Sequence, residues 1–558
     1  MTIFTSIGKL EIFLGLDRSV KKFKSIAKKN RRQKRKTKFV ILAENRRFFI
    51  DYIALLSFLP AAIDYYDANL FVYEITKKNY IQQIKKRIIN YFSVIKSIAH
   101  QKIIFIISDK TLNLKHQDIV NNLFSNNVSK QSFENFCYRN ILIGDLIYDF
   151  YLRKFKTVTL DLNDINLKLI VFEYLQYVDG FIKFFDENEV KAVIVSHTTY
   201  GYGIPARVAA LNQVDAFLVM DILTPIRITP SELFPQTQNF RALRSKFELL
   251  TLESQEKAKA FAKERMNLRL SGEKVDLRLS PSIIDWNLTK FQEIKLLSKG
   301  NNKYMCLIAL HDFLDAVHRY GNNFYPDFWE WIIGIGTLTR NSSITFLLKP
   351  HPNAQFNSIE QLEEICRIYP QFQLISGSVN NLELVNMGVT HCITVHGHIA
   401  SEMASLGVVT INAGKVNPHM DYSFSFTPKT LNDFQWAVQN MELVNLQIDL
   451  SEVYEFYFSH HILNLVSWAI PNVAKLWKDF GTSRIVDNKS ILEYYLTTDN
   501  KIDVICLENA AKKFISSNDA MLERKHFRNN LCKNDSTCKC QSVYSFNGVI
   551  SYKNDNMI

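Results

Sequence analysis

Short apolar runs alternate along most of this chain with longer stretches of helical periodicity. Residues 39–43, 70–73, 103–107 and 192–195 are strand-length and rich in Ile, Val, Leu or Phe, and helical patterning fills 46–59 and 167–185. Apolar strands separated by helices predict a parallel sheet covered on both faces, here spanning 38–230. A second alternation runs through 304–310, 344–348, 373–375, 391–395 and 408–411, with helical patterns around 328–338, 359–368 and 399–406. It predicts a second doubly wound domain at 301–445. Between the two, 231–300 is rich in Gln, Glu, Lys and Arg and reads as a helical connector. Residues 446–507 read as C-terminal helices, 508–558 as a polar, disordered tail and 1–37 as a basic arm. The expected fold is α/β, with two Rossmann-like domains facing a cleft and added helices.

The size supports this division, because 558 residues exceed one core and suit two domains. The longest apolar stretch, around 52–63, contains Pro60 and falls short of the roughly 20 residues of a bilayer span. The first residues lack the basic-then-apolar order of a signal peptide, so a cytoplasmic protein is expected. The net charge of +12 is local. Eleven of the 67 basic residues lie between Lys21 and Lys38 with no acid among them, and the other 56 face 55 acidic residues. Ile3, Ile7, Leu10, Phe13 and Leu14 precede this block at helical spacing. The segment therefore reads either as a peripheral anchor on anionic lipid at the inner face of the plasma membrane or as a solvated arm. Nucleic acid is not an expected partner, because no aromatic-interleaved basic patch is present. Five of the eight cysteines stand alone and read as small buried hydrophobes. Cys532, Cys538 and Cys540 cluster near His526 without a standard zinc spacing.

Ligands of open parallel sheets bind beyond the carboxyl ends of the strands, so polar residues just past each strand are the candidates. Lys349-Pro-His-Pro352 follows 344–348, and its prolines stiffen the exit that carries His351. Lys349 and His351 fit a phosphate; the same residues fit a rigid strand exit. Past Thr394 comes His396-Gly397-His398, with Glu402 about one turn into the helix. Gly397 permits close backbone approach, and Glu402 fits either a ribose or a helix-start carboxylate. His311, Asp312, Asp315 and His318, with Asp327 and Glu330, fit acid–base or ligand chemistry, or surface pairing and capping. His419 is a candidate of the same kind. In the first domain, Ser196-His197-Thr-Thr-Tyr200 with Arg207, and Gly144-Asp145 with Asp149 and Arg153, occupy similar loop-to-helix positions. There is no Walker sequence and no Asp-x-Asp, so no metal and no resident cofactor are expected.

These residues carry a resemblance. The stretch 311–428 resembles capsule and surface-polysaccharide biosynthesis proteins of glycosyltransferase-B architecture. It rests on His311-x-x-x-Asp315-x-x-His318, Asp327-Phe-Trp-Glu-Trp331, Lys349-Pro-His-Pro352, Thr394-Val-His-Gly397 with Glu402, and Asn417-Pro-His419. The His-Pro motif is similar to that of Kdo, sialyl- and polyol-phosphate transferases, and a related layout occurs in UDP-N-acetylglucosamine 2-epimerases. The resemblance implies a CMP- or UDP-linked sugar donor held by the second domain, through Lys349, His351, Thr394, Gly397, Glu402 and His419. It implies a polysaccharide or lipid-linked glycan acceptor held with His318 and Arg207. Asp145, His197, His311 and Asp315 are the catalytic candidates, with Asp145 or His197 as the base. A nucleotide-sugar epimerase and a non-catalytic assembly component are the alternatives.

Overall fold

A computed structural model describes residues 18–29, 31–45, 49–77, 95–108, 114–125, 127–220, 224–273, 304–321, 323–352, 359–463 and 504–527. Strands β1 (Phe39–Glu44), β2 (Asn69–Lys77), β3 (Gln101–Ser108), β6 (Glu189–Val195), β7 (Asp215–Leu218) and β8 (Ile226–Ile228) form one sheet. Its order is β3-β2-β1-β6-β7-β8, parallel except for β8. A hairpin of β4 (Cys137–Tyr138) and β5 (Ile141–Leu142) stands apart. The second sheet contains β9 (Met305–Ala309), β10 (Thr345–Lys349), β11 (Phe372–Leu374), β12 (Val389–Thr394) and β13 (Val409–Asn412). It is all parallel, in the order β11-β10-β9-β12-β13. The protein thus has two Rossmann-like doubly wound sheets. The apolar run of β1 explains its position, because four of its six residues are buried. The short β7 and β8 were not expected: four and three residues give too little pattern to separate a strand from a loop.

The helices that matter below are α1 (Arg18–Lys29), α2 (Phe49–Tyr66), α3 (Gly144–Phe155), α4 (Ile165–Glu187), α5 (Leu252–Leu270), α6 (Phe328–Leu338), α7 (Ile399–Ser405), α8 (Leu450–Phe458) and α9 (Val504–Ser516). The expected helical connector is helical over its described part, and α5 packs on α8. Among the described residues, no helix is long and apolar enough to cross a membrane.

Two expectations about the ends change. The tail was expected from 508, yet α9 runs through that position and packs on α2 of the first domain, burying Leu507, Ala510, Ala511, Phe514 and Ile515. The polar residues between these apolar ones hid an amphipathic helix. The basic arm also joins the body before residue 38. The Arg32 backbone bonds to Ile98 and His100, and its guanidinium meets Asp64 at 2.8 Å and Glu508 at 2.5 Å. Lys21, Lys22 and Lys28 on α1 are exposed, as are Lys34, Lys36 and Lys38 after it. The hydrophobic residues before position 18 and the cysteines 532, 538 and 540 lie outside the described residues.

Phe58 of α2, Phe217 of β7 and Phe514 of α9 form a triangle of ring contacts at 5.3, 5.7 and 6.3 Å. Phe514→Ala is expected to cost about 3–5 kcal/mol in urea unfolding of the full chain. An unchanged midpoint would show that α9 is not part of this core.

Candidate functional site

A doubly wound sheet opens a crevice where its strand order reverses, at the carboxyl ends of the two strands flanking the reversal. Here those pairs are β1/β6 and β9/β12, so four strand ends define the site.

At the first crevice, Ala43 of β1 pairs in register with Ile194 of β6, which brings Glu44 alongside Ser196. Glu44 accepts hydrogen bonds from the Ser196 N–H at 3.0 Å and the Ser196 hydroxyl at 2.5 Å. The same hydroxyl lies 2.7 Å from Nδ1 of His197, which is exposed. The turn that follows holds Tyr200 at φ +53°, a left-handed conformation costly for a tyrosine and typical of functional loops. Its hydroxyl accepts a hydrogen bond from Arg153 of α3 at 2.9 Å.

At the second crevice, His311 follows β9, and Thr394 ends β12. The His396 N–H donates to His311 Nε2 at 3.4 Å, so Nε2 carries the lone pair and Thr394, 3.3 Å away, donates to it as well. The His311 ring stacks on Phe328 at 4.7 Å and lies 4.3 Å from the His396 ring. Gly397 is required here, because a Cβ would sit 2.7 Å from Thr394 Oγ1. Beyond it, His398 contacts His460 at 4.6 Å and His461 at 5.0 Å. The rings of His311, His396, His398 and His461 are neutral. Burial, then the positive charge of Arg319, pushes His396 down to about 3. Burial, then Arg269, pushes His398 down to about 4. Burial holds His311 and His461 well below the usual value, helped by their neighbouring histidines. Among the described residues, His396 Nδ1, His398 Nδ1 and His461 Nε2 are buried without a hydrogen-bond partner. Such a lining suits a polyanion, which would restore the missing bonds and the missing charge.

The two crevices communicate. Asp315 is exposed, and its charge acts on Arg153 and Tyr200 of the first domain and on His311 and His351 of the second. His351 is exposed at the end of β10, with Asp312 and Asp315 as its nearest acidic influences.

The remaining expected site residues are structural. Arg207 clamps Asp145 with two bonds of 2.6 Å, both residues buried, so both carboxylate oxygens of Asp145 are engaged within the protein. His318 is likewise engaged within the protein. Its Nδ1 meets Asp149 at 2.7 Å and its Nε2 meets Glu134 at 3.2 Å, across the domain boundary. Burial disfavours the charged ring, but the two carboxylates outweigh it and hold His318 well above the usual value. Glu402 is buried against Arg269 of the connector at 2.7 Å and Asn381 at 2.8 Å, so it does not face a ribose. Lys349 donates to Asn381 at 2.6 Å behind the sheet, and burial pushes it down to about 8. His419 is wholly buried and donates from Nε2 to Asn412 at 2.9 Å. Thus His197, His311, Asp315, His351, Thr394 and Gly397 lie at the crevices. Glu44, Ser196, His396, His398, His461 and Arg319 join them. Glu44 was legible as the first acid past the apolar run of β1.

Two outcomes follow. His318→Gln leaves Asp149 buried without its cation and is expected to cost about 3–5 kcal/mol. Because the folded value is raised, this contribution is full below about pH 6.5 and is lost as pH rises through the folded value, so the wild-type advantage in thermal unfolding should shrink at alkaline pH. The neutral rings act oppositely. With folded values near 3 for His396 and His419 and near 4 for His398, unfolding binds protons once pH falls below about 6.5. Stability should then fall by about 1.4 kcal/mol per pH unit per ring between about pH 6 and 4. A flat acid limb in urea titrations would contradict neutral rings.

No protein-family model matches the chain, and no curated protein matches it. Solved structures with a similar arrangement include UDP-GlcNAc 2-epimerase from Neisseria meningitidis bound to UDP-GlcNAc, at 10% identity over 82% of this chain and 100% of that one, with a TM-score of 0.22. KpsC of Thermosulfurimonas dismutans, a beta Kdo 2,4 transferase, is 11% identical over 50% of this chain and 85% of its own, with a TM-score of 0.29. MurG of Acinetobacter baumannii is 9% identical over 82% and 99%, with a TM-score of 0.21. At these similarities the likenesses add nothing to what the two sheet orders already establish.

Proposed function

We propose that this protein is a glycosyltransferase that moves a sugar from a nucleotide-sugar donor to a hydroxyl of a surface-polysaccharide acceptor, without a metal ion. The observation that carries the reading is the pairing of two unlike crevices: one lined by neutral histidines beside Arg319 in the second domain and one with an exposed imidazole in the first. The donor phosphates sit against His311, His396, His398 and Arg319, with Gly397 allowing the approach. The acceptor hydroxyl lies toward His197. His197 takes the hydroxyl proton while the oxygen bonds to the anomeric carbon. The bond from that carbon to the phosphate oxygen breaks, and its electrons leave on the nucleotide phosphate. The charge of Arg319 and hydrogen bonds from the neutral histidine lining offset part of the charge that the leaving group gains.

A nucleotide-sugar epimerase is the second reading, favoured by the charge of Asp315 acting on both His351 and His311. It requires no acceptor.

A thermal-shift screen of CMP, CDP, UDP and GDP, each with and without attached sugar, tests the donor site. A nucleotide at about 100 times its Kd should add about 2.7 kcal/mol of stability. His396→Ala should abolish the shift. No shift with any nucleotide would overturn the reading. Turnover of the nucleotide sugar only with added glycan supports transfer, and isomerisation without glycan supports the epimerase.

A further inference from the structure

We infer that Glu44 and Ser196 form a two-residue relay that fixes the tautomer of His197 and so makes it a base toward a hydroxyl-bearing substrate at the β1/β6 crevice. The substrate class rests on the function proposed above; the relay itself rests on geometry alone.

Ser196 has one hydroxyl proton and two neighbours that compete for it. On one side, at 2.5 Å, is Glu44 Oε2; on the other, at 2.7 Å, is His197 Nδ1. An ionised carboxylate only accepts hydrogen bonds, whereas an imidazole nitrogen either donates or accepts. The Ser196 proton therefore goes to Glu44. That leaves an Oγ lone pair facing His197, and Nδ1 must carry a proton to meet it. With Nδ1 protonated, Nε2 is the basic nitrogen. Free histidine prefers the opposite tautomer, so without Glu44 and Ser196 the wrong nitrogen would carry the proton.

The relay is held rigidly. Glu44 Oε2 takes a second bond, from the Ser196 backbone N–H, so the carboxylate is anchored by both donors of one residue. Ser196 is 2% exposed, and His197 is exposed beside Tyr202, with ring centroids 6.3 Å apart. Ser196 is thus the buried middle of the chain, with Glu44 half-buried on one side and the exposed imidazole on the other. Asn45, next along β1, donates to Glu74 at 2.7 Å, which occupies the neighbouring carboxylate and leaves Glu44 to Ser196. Glu44 and Ser196 touch no substrate in this arrangement; they are positioning residues that act through His197.

Histidine-labelled full-length protein tests this by long-range proton–nitrogen NMR at neutral pH, with the His197 signals identified by their loss in His197→Gln. The expected wild-type pattern is a protonated Nδ1 and an unprotonated Nε2. Ser196→Ala should move His197 toward the opposite tautomer, while Ser196→Thr, which keeps the hydroxyl, should preserve the wild-type pattern even if Ser196→Ala fails to fold. A wild-type His197 protonated on Nε2, or a tautomer unmoved in folded Ser196→Ala, would overturn the relay. The spectra need no substrate, so an intact relay in a protein that turns over no sugar nucleotide would sink only the proposed function. With turnover in hand, Glu44→Gln should lower kcat by about 100-fold or more and leave the donor KM in place.

Discussion

The imidazolium of His318, buried between Asp149 and Glu134, is the contact on which the arrangement of this protein turns. A charge buried at a domain boundary is tolerated only when its partners are placed well, and here each ring nitrogen meets a carboxylate. The two carboxylates belong to the first domain and the histidine to the loop leaving β9. That loop also carries His311 and Asp315. Around the same seam, the Tyr148 hydroxyl donates to Oδ2 of Asp327, and Thr159 donates to the same oxygen at 2.6 Å. Asp327 in turn caps α6 through the Glu330 N–H at 2.7 Å. The loop is thus pinned at both ends against α3, and the distance between the two crevices is set by charge pairing.

This accounts for how polar residues divide between structure and chemistry. Asp145, Arg207, Glu402, Lys349 and His419 sit beneath the crevices, each hydrogen-bonded to a partner within the protein. They hold the backbone that carries the exposed groups. His197, His351 and Asp315 are exposed, and His396 and His398 are partly so. The inner layer is engaged within the protein, and the outer layer faces solvent.

The sequence disclosed the sheets far better than this division. Nine of the described strands were legible because buried parallel strands are continuous apolar runs. The partners of the polar residues were not legible. Glu402 and Arg269 are 133 positions apart, and Asp149 and His318 are 169 apart, so nothing local distinguishes a carboxylate neutralised by a distant cation from one facing solvent. Glu402 and Asp145 looked like site residues for the same reason that they are structural: both stand at strand exits, where chains converge. In the sequence His396 and His398 read only as flanks of Gly397, because their surroundings depend on His460 and His461, which arrive from beyond α8.

The placement of α9 has a consequence for biosynthesis. Phe58 and its neighbours on α2 belong to a domain whose own strands end at β8, yet the surface that covers them is supplied by residues 504–516. During translation the first sheet is therefore complete, but bare along α2, while nearly three hundred further residues are made. At ordinary elongation rates of about 5–20 residues per second, that is an interval of roughly 15 to 60 seconds in which an apolar helix face is uncovered. A nascent chain of this protein is accordingly a natural client for chaperones that bind exposed apolar segments, and a chain stopped short of α9 would be recognised by its missing lid.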